Sequence, residues 1–259
     1  MTGQPLDAFP MSLLYVLTVL AMLLSMDGGY RLTKARQRKS KDKTDAGVGA
    51  LSGASLALLA FLLAFLVSLG SGIATERRNV VLAETNAIST AYLRAGYLEE
   101  PYRTESRDLL REYTDLRLVA LDPMQGAAAV LRSEEIHNQL WASAEVIAMK
   151  NPLPTISLYL SALNEVIDMH TERVAIGVDV RVPPTVLLGA YIVALFTMFL
   201  VGVQSGYGIK RSYLAQVVLA SILAVVFLLV VDLDRARDGL LQVPQLSLYD
   251  LQRQLNIDQ

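Results

Sequence analysis

The chain has 259 residues, 53% of them hydrophobic and 19% charged, with a mean hydropathy of +0.39. That balance excludes an ordinary soluble domain and is too charged for a bare bundle of membrane spans. A formal net charge of −2 gives no general affinity for nucleic acid, and the absence of cysteine excludes disulfides and thiolate metal sites.

Four stretches carry no charged residue: Ala8–Met26, Ala46–Thr75, Val182–Ile209 and Ser212–Val231. Each can cross a hydrocarbon core of ~30 Å, which takes roughly 20 apolar residues in a helix. The stretches form two pairs, separated by a charged segment from Glu76 to Arg181. The expected fold class is an all-α membrane protein, with four transmembrane helices in two pairs and a helical-bundle insert between spans 2 and 3. The expected domains are 1–75 (spans 1 and 2 with a basic loop), 76–181 (a helical soluble domain), 182–231 (spans 3 and 4) and 232–259 (a C-terminal tail).

Only Asp7 is charged before the first run, so that run lacks the basic start of a cleaved signal and reads as a retained span. Arg31, Lys34, Arg36, Arg38, Lys39, Lys41 and Lys43 fall in the loop between spans 1 and 2, and Lys210 and Arg211 between spans 3 and 4. The positive-inside rule puts both loops in the cytoplasm and the insert and tail outside, although Arg77, Arg78 and Arg181 flank the insert.

No proline interrupts the second span, so its helix is expected to run on to about Leu93, until Gly96 and Pro101 stop it. Pro101 is expected in the first turn of an amphipathic helix bearing Leu109, Leu110, Tyr113, Leu116 and Leu121. A further helix carries Ile136, Leu140, Ala144 and Ile147 on one stripe beside Trp141. In the last, Ile156, Leu160, Leu163, Ile167, His170 and Val174 alternate steps of four and three, the seam of a packed helix.

Gly49 and Gly53, and again Gly202 and Gly206, have the GxxxG spacing that lets helices approach closely within a chain or between chains. Ala54, Leu58, Phe61, Phe65, Ser68 and Gly72 share one face of the second span. Such a face packs against lipid or another span, or lines a hydrophobic constriction in a ring of copies. The insert holds 11 basic and 16 acidic residues, with Glu165, Asp168 and Glu172 on one face and Arg173 beside them. An acidic face attracts cations toward a vestibule, or is simply solvated. Asp232 and Asp234 follow the last span directly, either as acidic rings in an oligomer or as an anchor paired with arginines. His137 and His170 have no metal-binding partner spacing and read as packing or surface residues, and no catalytic constellation appears. Neither an enzyme nor a cofactor is expected.

Several segments together resemble the bestrophin-like family of bacterial membrane proteins. They are Arg77-Arg78, Glu84-Thr85-Asn86-Ala87-Ile88, Thr90-Ala91-Tyr92-Leu93-Arg94, Pro101-Tyr102-Arg103 and Leu109-Leu110-Arg111-Glu112-Tyr113 with Arg117-Leu118. Leu140-Trp141, Leu163-Asn164-Glu165 with Asp168 and Arg173, and Asp232-Leu233-Asp234-Arg235 with Gly239 complete the set. Ala236 departs from the pattern, which has proline there. The resemblance implies a pentameric ion channel with four spans per subunit and a second span lining a narrow hydrophobic neck. It raises Phe61 and Phe65 as neck residues, while Glu84, Asn86, Arg94, Asn164, Glu165, Asp168, Arg173, Asp232, Asp234 and Arg235 are the candidates for a polar network or for attracting ions. Bestrophins keep the helical domain in the cytoplasm, opposite to the side that the basic loop favours here. The partners expected are the bilayer, further copies of the chain and inorganic ions. The rival reading is a non-conducting sensor or scaffold whose helical domain binds a ligand or a partner protein.

Overall fold

The computed structural model describes residues 9–39, 47–120, 122, 124–178, 180–208, 211–235 and 244–257. Lys41, Lys43, Leu121, Lys210, Ala236 and Gly239 lie outside them. Eight helices follow one another among the described residues: α1 Met11–Lys39, α2 Val48–Ala95, α3 Tyr102–Val119, α4 Gly126–Lys150, α5 Pro154–Val178, α6 Pro184–Tyr207, α7 Tyr213–Asp234 and α8 Leu246–Ile257. The fold is all-α, and α1, α2, α6 and α7 are each long and apolar enough to cross a membrane. The chain forms two compact units, residues 1–73 with 181–241 and residues 74–180 with 242–259.

In the membrane unit, hydrogen bonds set how the helices run. Ser25 Oγ donates to Leu195 O and Thr33 Oγ1 to Val203 O, at 2.6 and 3.1 Å, each pair 170 residues apart. A constant difference means that α1 and α6 lie parallel, in register. They also lie very close: a Cβ on Gly202 would strike the Met26 backbone, and one on Gly29 the Phe199 carbonyl. Gly206 likewise accommodates the Thr33 side chain, so the Gly202/Gly206 pair is occupied by α1 of the same chain. Ser52 Oγ donates to Leu200 O at 3.2 Å, and Gly49 lies near Gln204, so α2 runs antiparallel to α6. A Cβ on Gly53 would meet open space.

α1 continues thirteen residues past the apolar run because Arg, Lys, Gln and Leu are good helix formers and no proline follows. α2 ends at Ala95, immediately before Gly96. Pro101 occupies the cap position before α3 instead of its first turn.

The helical unit has a conventional apolar core. It holds Val81, Ile88, Tyr92, Leu110, Tyr113, Ile136, Leu140, Tyr159, Leu163 and Val166. The buried seam of α5 is rotated from the expected one: Tyr159 and Val166 are fully buried, while Leu160 and Ile167 are only partly so. α8 closes this core with Leu248, Leu251 and Leu255. Arg111 Nε donates to Leu255 O at 3.0 Å and Gln252 Nε2 to Asp115 at 2.7 Å, which fixes α8 against α3.

Candidate functional site

The outward face of α2 is the first candidate. Leu59, Leu63, Leu66 and Ile73 turn inward, and every residue of the opposite stripe (Ala54, Leu58, Phe61, Phe65, Ser68 and Gly72) is exposed in the single chain. Phe61 and Phe65 keep 69% and 55% of their surface, so no described helix of the chain covers them. At 100° per residue, Glu76, Asn79, Asn86 and Thr90 continue the same helical face, and all four are exposed. The stripe thus changes along one helix from apolar to polar. Arg77 leaves it, buried with its Nη2 donating to Val180 O at 2.9 Å.

A second group surrounds Asp232, Asp234 and Arg235, which are 4%, 2% and 7% exposed. Asp234 accepts from Arg181 Nε at 3.1 Å and from the Val182 N–H at 2.6 Å, and Arg181 Nη2 lies 2.9 Å from it. Arg235 Nη2 donates to Phe9 O at 2.7 Å. These side chains tie the end of α7 to the segment entering α6 and to the start of α1. Asp234 has the geometry of a residue anchored by an arginine.

The third group is the buried cluster of the helical unit. Glu84 sits fully buried on α2, where Val80, Val81, Ala87, Ile88 and Ala91 surround it in sequence. A carboxylate there requires partners. Arg117 Nε lies 2.8 Å from Oε1, Arg173 Nη1 donates to Oε2, and the Tyr113 hydroxyl donates to Oε1 at 2.6 Å. Burial alone would raise the carboxyl, but the two guanidiniums and the tyrosine hold it below the ordinary carboxylate range. Tyr113 shifts the other way, pushed well up by burial and by Glu84.

Since the single Tyr113 proton is given to Glu84, His170 Nδ1, 3.1 Å away, is assigned as the donor to the tyrosine oxygen. His170 Nε2 is buried without a hydrogen-bond partner, which together with burial of the ring favours the neutral form. Its ring meets that of His137 edge-on at 4.8 Å, and His137 lies 4.8 Å from Tyr113. Burial pushes both imidazoles down to about 4. Among the described residues no group of three or more His, Cys, Asp or Glu can hold a metal ion.

Of the residues expected in a polar network, Glu84 and Arg173 meet here. Arg173 also donates to Gln245 Oε1 at 3.0 Å, so it turns away from Glu165, Asp168 and Glu172, which face outward. Asn164 donates to Asp168 at 2.8 Å on that outer face. Arg94 donates to Leu158 O at 2.7 Å, joining α2 to α5. Asn86 stands on the exposed stripe. Tyr113, Arg117, His137 and Gln245 were absent from the expected network. The signal for them was the lone Glu84 among apolar neighbours, a residue that demands two donors without naming them.

The bestrophin-like domain profile matches residues 8–248, nearly the whole chain. The chain belongs to the bestrophin-like family. Solved structures agree on the bestrophin-like fold. A variant of the bacterial bestrophin homologue from Klebsiella pneumoniae superposes with a TM-score of 0.66 at 14% identity, covering 94% of this chain and 96% of that one. A zinc-phased crystal structure of the same homologue gives 0.63 at 15% identity, covering 95% and 97%. Another crystal structure, of a membrane protein, gives 0.64 at 14% identity with 95% and 97% covered. No curated protein matches. Four membrane-crossing helices and membership of this family make the chain a multi-pass membrane protein.

Proposed function

We propose that this bestrophin-like protein is a homo-oligomeric, pentameric ion channel of the bacterial inner membrane, with α2 of each copy lining the pore. The observation that carries the reading is the outward stripe of α2. Lipid accounts for the exposure of Leu58, Phe61 and Phe65, and water beyond the span for that of Glu76, Asn79, Asn86 and Thr90, but neither calls for the two sets to share one helical face. A ring of copies accounts for both. The phenylalanines form a hydrophobic neck that gates by dewetting, and the polar continuation wets the path beyond it. The fold shared with solved bacterial bestrophin homologues supports the ion-channel reading.

The acidic surplus of the helical domain, with Glu165, Asp168 and Glu172 outermost, makes its vestibule attractive to cations. Asp234 has no part in this attraction, because Arg181 neutralises it within a buried anchor. The basic end of α1 supports a cytoplasmic loop and an extracytoplasmic helical domain.

The decisive experiment is single-channel recording in planar bilayers of the wild type and the variant Phe61→Ala/Phe65→Ala. The variant is expected to pass larger currents with less closed time. Unchanged currents sink the neck, and a purified wild type that never conducts moves the reading to a non-conducting scaffold. The side of the membrane is tested by placing one cysteine at exposed Leu131. The chain has no other thiol, so labelling of intact spheroplasts by an impermeant maleimide places the domain outside.

A further inference from the structure

At one end of the membrane unit a belt of aromatic and charged side chains marks the membrane boundary. Arg211 Nη1 donates to Asp27 at 2.6 Å, and its guanidinium lies 4.6 Å from the ring centres of both Tyr30 and Tyr213. Tyrosines with a paired charge at the ends of apolar runs stand where hydrocarbon gives way to headgroups. Just inside that level lies a groove of about 410 Å³ lined by Ser25, Ile192, Leu195, Phe196 and Phe199. The Ser25 hydroxyl is engaged by Leu195 O, so the groove offers an apolar wall. Gly28 lies beside the Phe199 ring, which is 3.8 Å from where a Cβ would be, an ordinary van der Waals contact. Phe196 keeps 67% of its surface, so the groove is open to whatever surrounds the chain.

Beyond the belt, α1 continues to Lys39 and carries Arg31, Lys34, Arg36, Arg38 and Lys39. Its one carboxylate, Asp27, is taken up by Arg31 and Arg211. Leu32, Arg36 and Lys39 follow Ser25 by seven, eleven and fourteen residues, and so they share its helical face. Arg36 starts roughly 16 Å along the axis from Ser25. Helical side chains lean toward the N-terminus, which brings the exposed Arg36 and Lys39 back toward the bilayer. One face therefore presents an open apolar groove below the boundary and, above it, cations that no carboxylate opposes among the described residues.

We propose that α1 and α6 hold an anionic phospholipid, with an acyl chain in the groove and the phosphate against Arg36 and Lys39. The two chemistries and their order along the helix are those of a lipid standing in its own leaflet. A zwitterionic lipid fits the groove equally well but gains little from the cations. This site is independent of whether α2 conducts.

The test uses quenching by brominated lipid. Trp141 is the single tryptophan and belongs to the helical unit, so Phe196→Trp in a Trp141→Phe background puts the only reporter in the groove. In vesicles, brominated phosphatidylglycerol is expected to outcompete brominated phosphatidylcholine. The expected contribution is roughly fivefold per basic residue engaged. Arg36→Gln/Lys39→Gln should abolish that preference while leaving phosphatidylcholine quenching as it was. Equal quenching by the two lipids, or a preference that survives the double substitution, overturns the proposal. No quenching by either lipid also overturns it, because a second copy of the chain then covers the groove.

Discussion

In the membrane unit the closest helix contact is made by missing side chains, whereas in the helical unit the most demanding one is made by charges. Gly29, Gly202 and Gly206 bring the α1 and α6 backbones together, and Ser25, Thr33 and Ser52 donate across the helices to carbonyls of α6. Lipid tails are as apolar as leucine, so burying leucine there gains little, and close packing with hydrogen bonds between helices takes its place. In the helical unit water supplies the drive, and a large apolar core forms around Tyr92, Ile136 and Leu163. That drive is strong enough to carry Glu84, Arg117 and Arg173 inside with it. The two units are consequently vulnerable to opposite substitutions: added bulk in one, removed charge in the other.

The largest expected effect breaks the charged cluster. Glu84→Gln preserves the shape but leaves Arg117 and Arg173 buried without a counter-ion. Removing one partner of a buried pair costs about 3–5 kcal/mol. Fluorescence of Trp141, the one tryptophan, reports this unit alone, so thermal unfolding in detergent should show its transition fall by many degrees or disappear. A transition at the wild-type temperature means that the cluster is not charged as described. Gly202→Val is the counterpart in the membrane unit. The new side chain meets the Met26 backbone, which cannot rotate away, and the expected loss is about 3 kcal/mol, the upper end for overpacking. It should lower the helical circular dichroism transition and leave the Trp141 signal in place. A Trp141 transition that falls in step with it ends the claim of separate vulnerabilities.

Acid should weaken the helical unit in a defined window. His137 and His170 have folded values near 4, below the ordinary 6.5, so the unfolded chain binds more protons between those limits. Stability that is complete above pH 6.5 is lost as pH falls toward 4, and these two groups add no further loss below it. The groups facing them are Tyr113, Glu84, Arg117 and Arg173. The two guanidiniums oppose an added proton and Glu84 favours one, so the cluster carries one net positive charge before either histidine titrates. From pH 7 to pH 5.5 the two imidazoles together account for about 2 kcal/mol. Unfolding followed at Trp141 across that range should show the slope, and His137→Phe/His170→Phe should flatten it. An unchanged slope in the variant assigns it to other groups.

These contrasts explain what the sequence disclosed. Four charge-free runs announced the membrane helices because lipid tolerates no other composition, and the steps of Ile136, Leu140, Ala144 and Ile147 announced the face of α4. The α2 stripe could be read because helical period alone decides it. The pairing of Asp234 with Arg181 and of Glu84 with Arg117 and Arg173 could not, since those partners are 53, 33 and 89 residues apart and only the tertiary fold unites them. α8 was missed although Leu248, Leu251 and Leu255 carry a helical period, because twelve residues are too few to stand out without the core they cover. The close α1–α6 contact was legible only as two glycines four apart. Nothing in that spacing says whether the partner helix belongs to the same chain.

The smallest effect is the sharpest control, because the helical unit holds a second cluster of inverse sign. Arg132 lies between two carboxylates, donating to Glu112 at 2.8 and 3.2 Å and to Glu135 at 2.9 Å, much as Glu84 lies between two guanidiniums. Its hydrogen bonds to Glu112 and then Glu135 raise its affinity for the proton. Yet Arg132, Glu112 and Glu135 keep 37%, 43% and 64% of their side-chain surface, so water solvates each ion whether or not it is paired. Ordering three long side chains also costs entropy, which offsets most of the remaining attraction. Arg132→Gln is therefore expected to leave the Trp141 unfolding temperature unchanged, at low salt and at high. A drop approaching that of Glu84→Gln means that bond geometry, and not burial, governs these clusters, and the contrast between the two units then loses its physical basis.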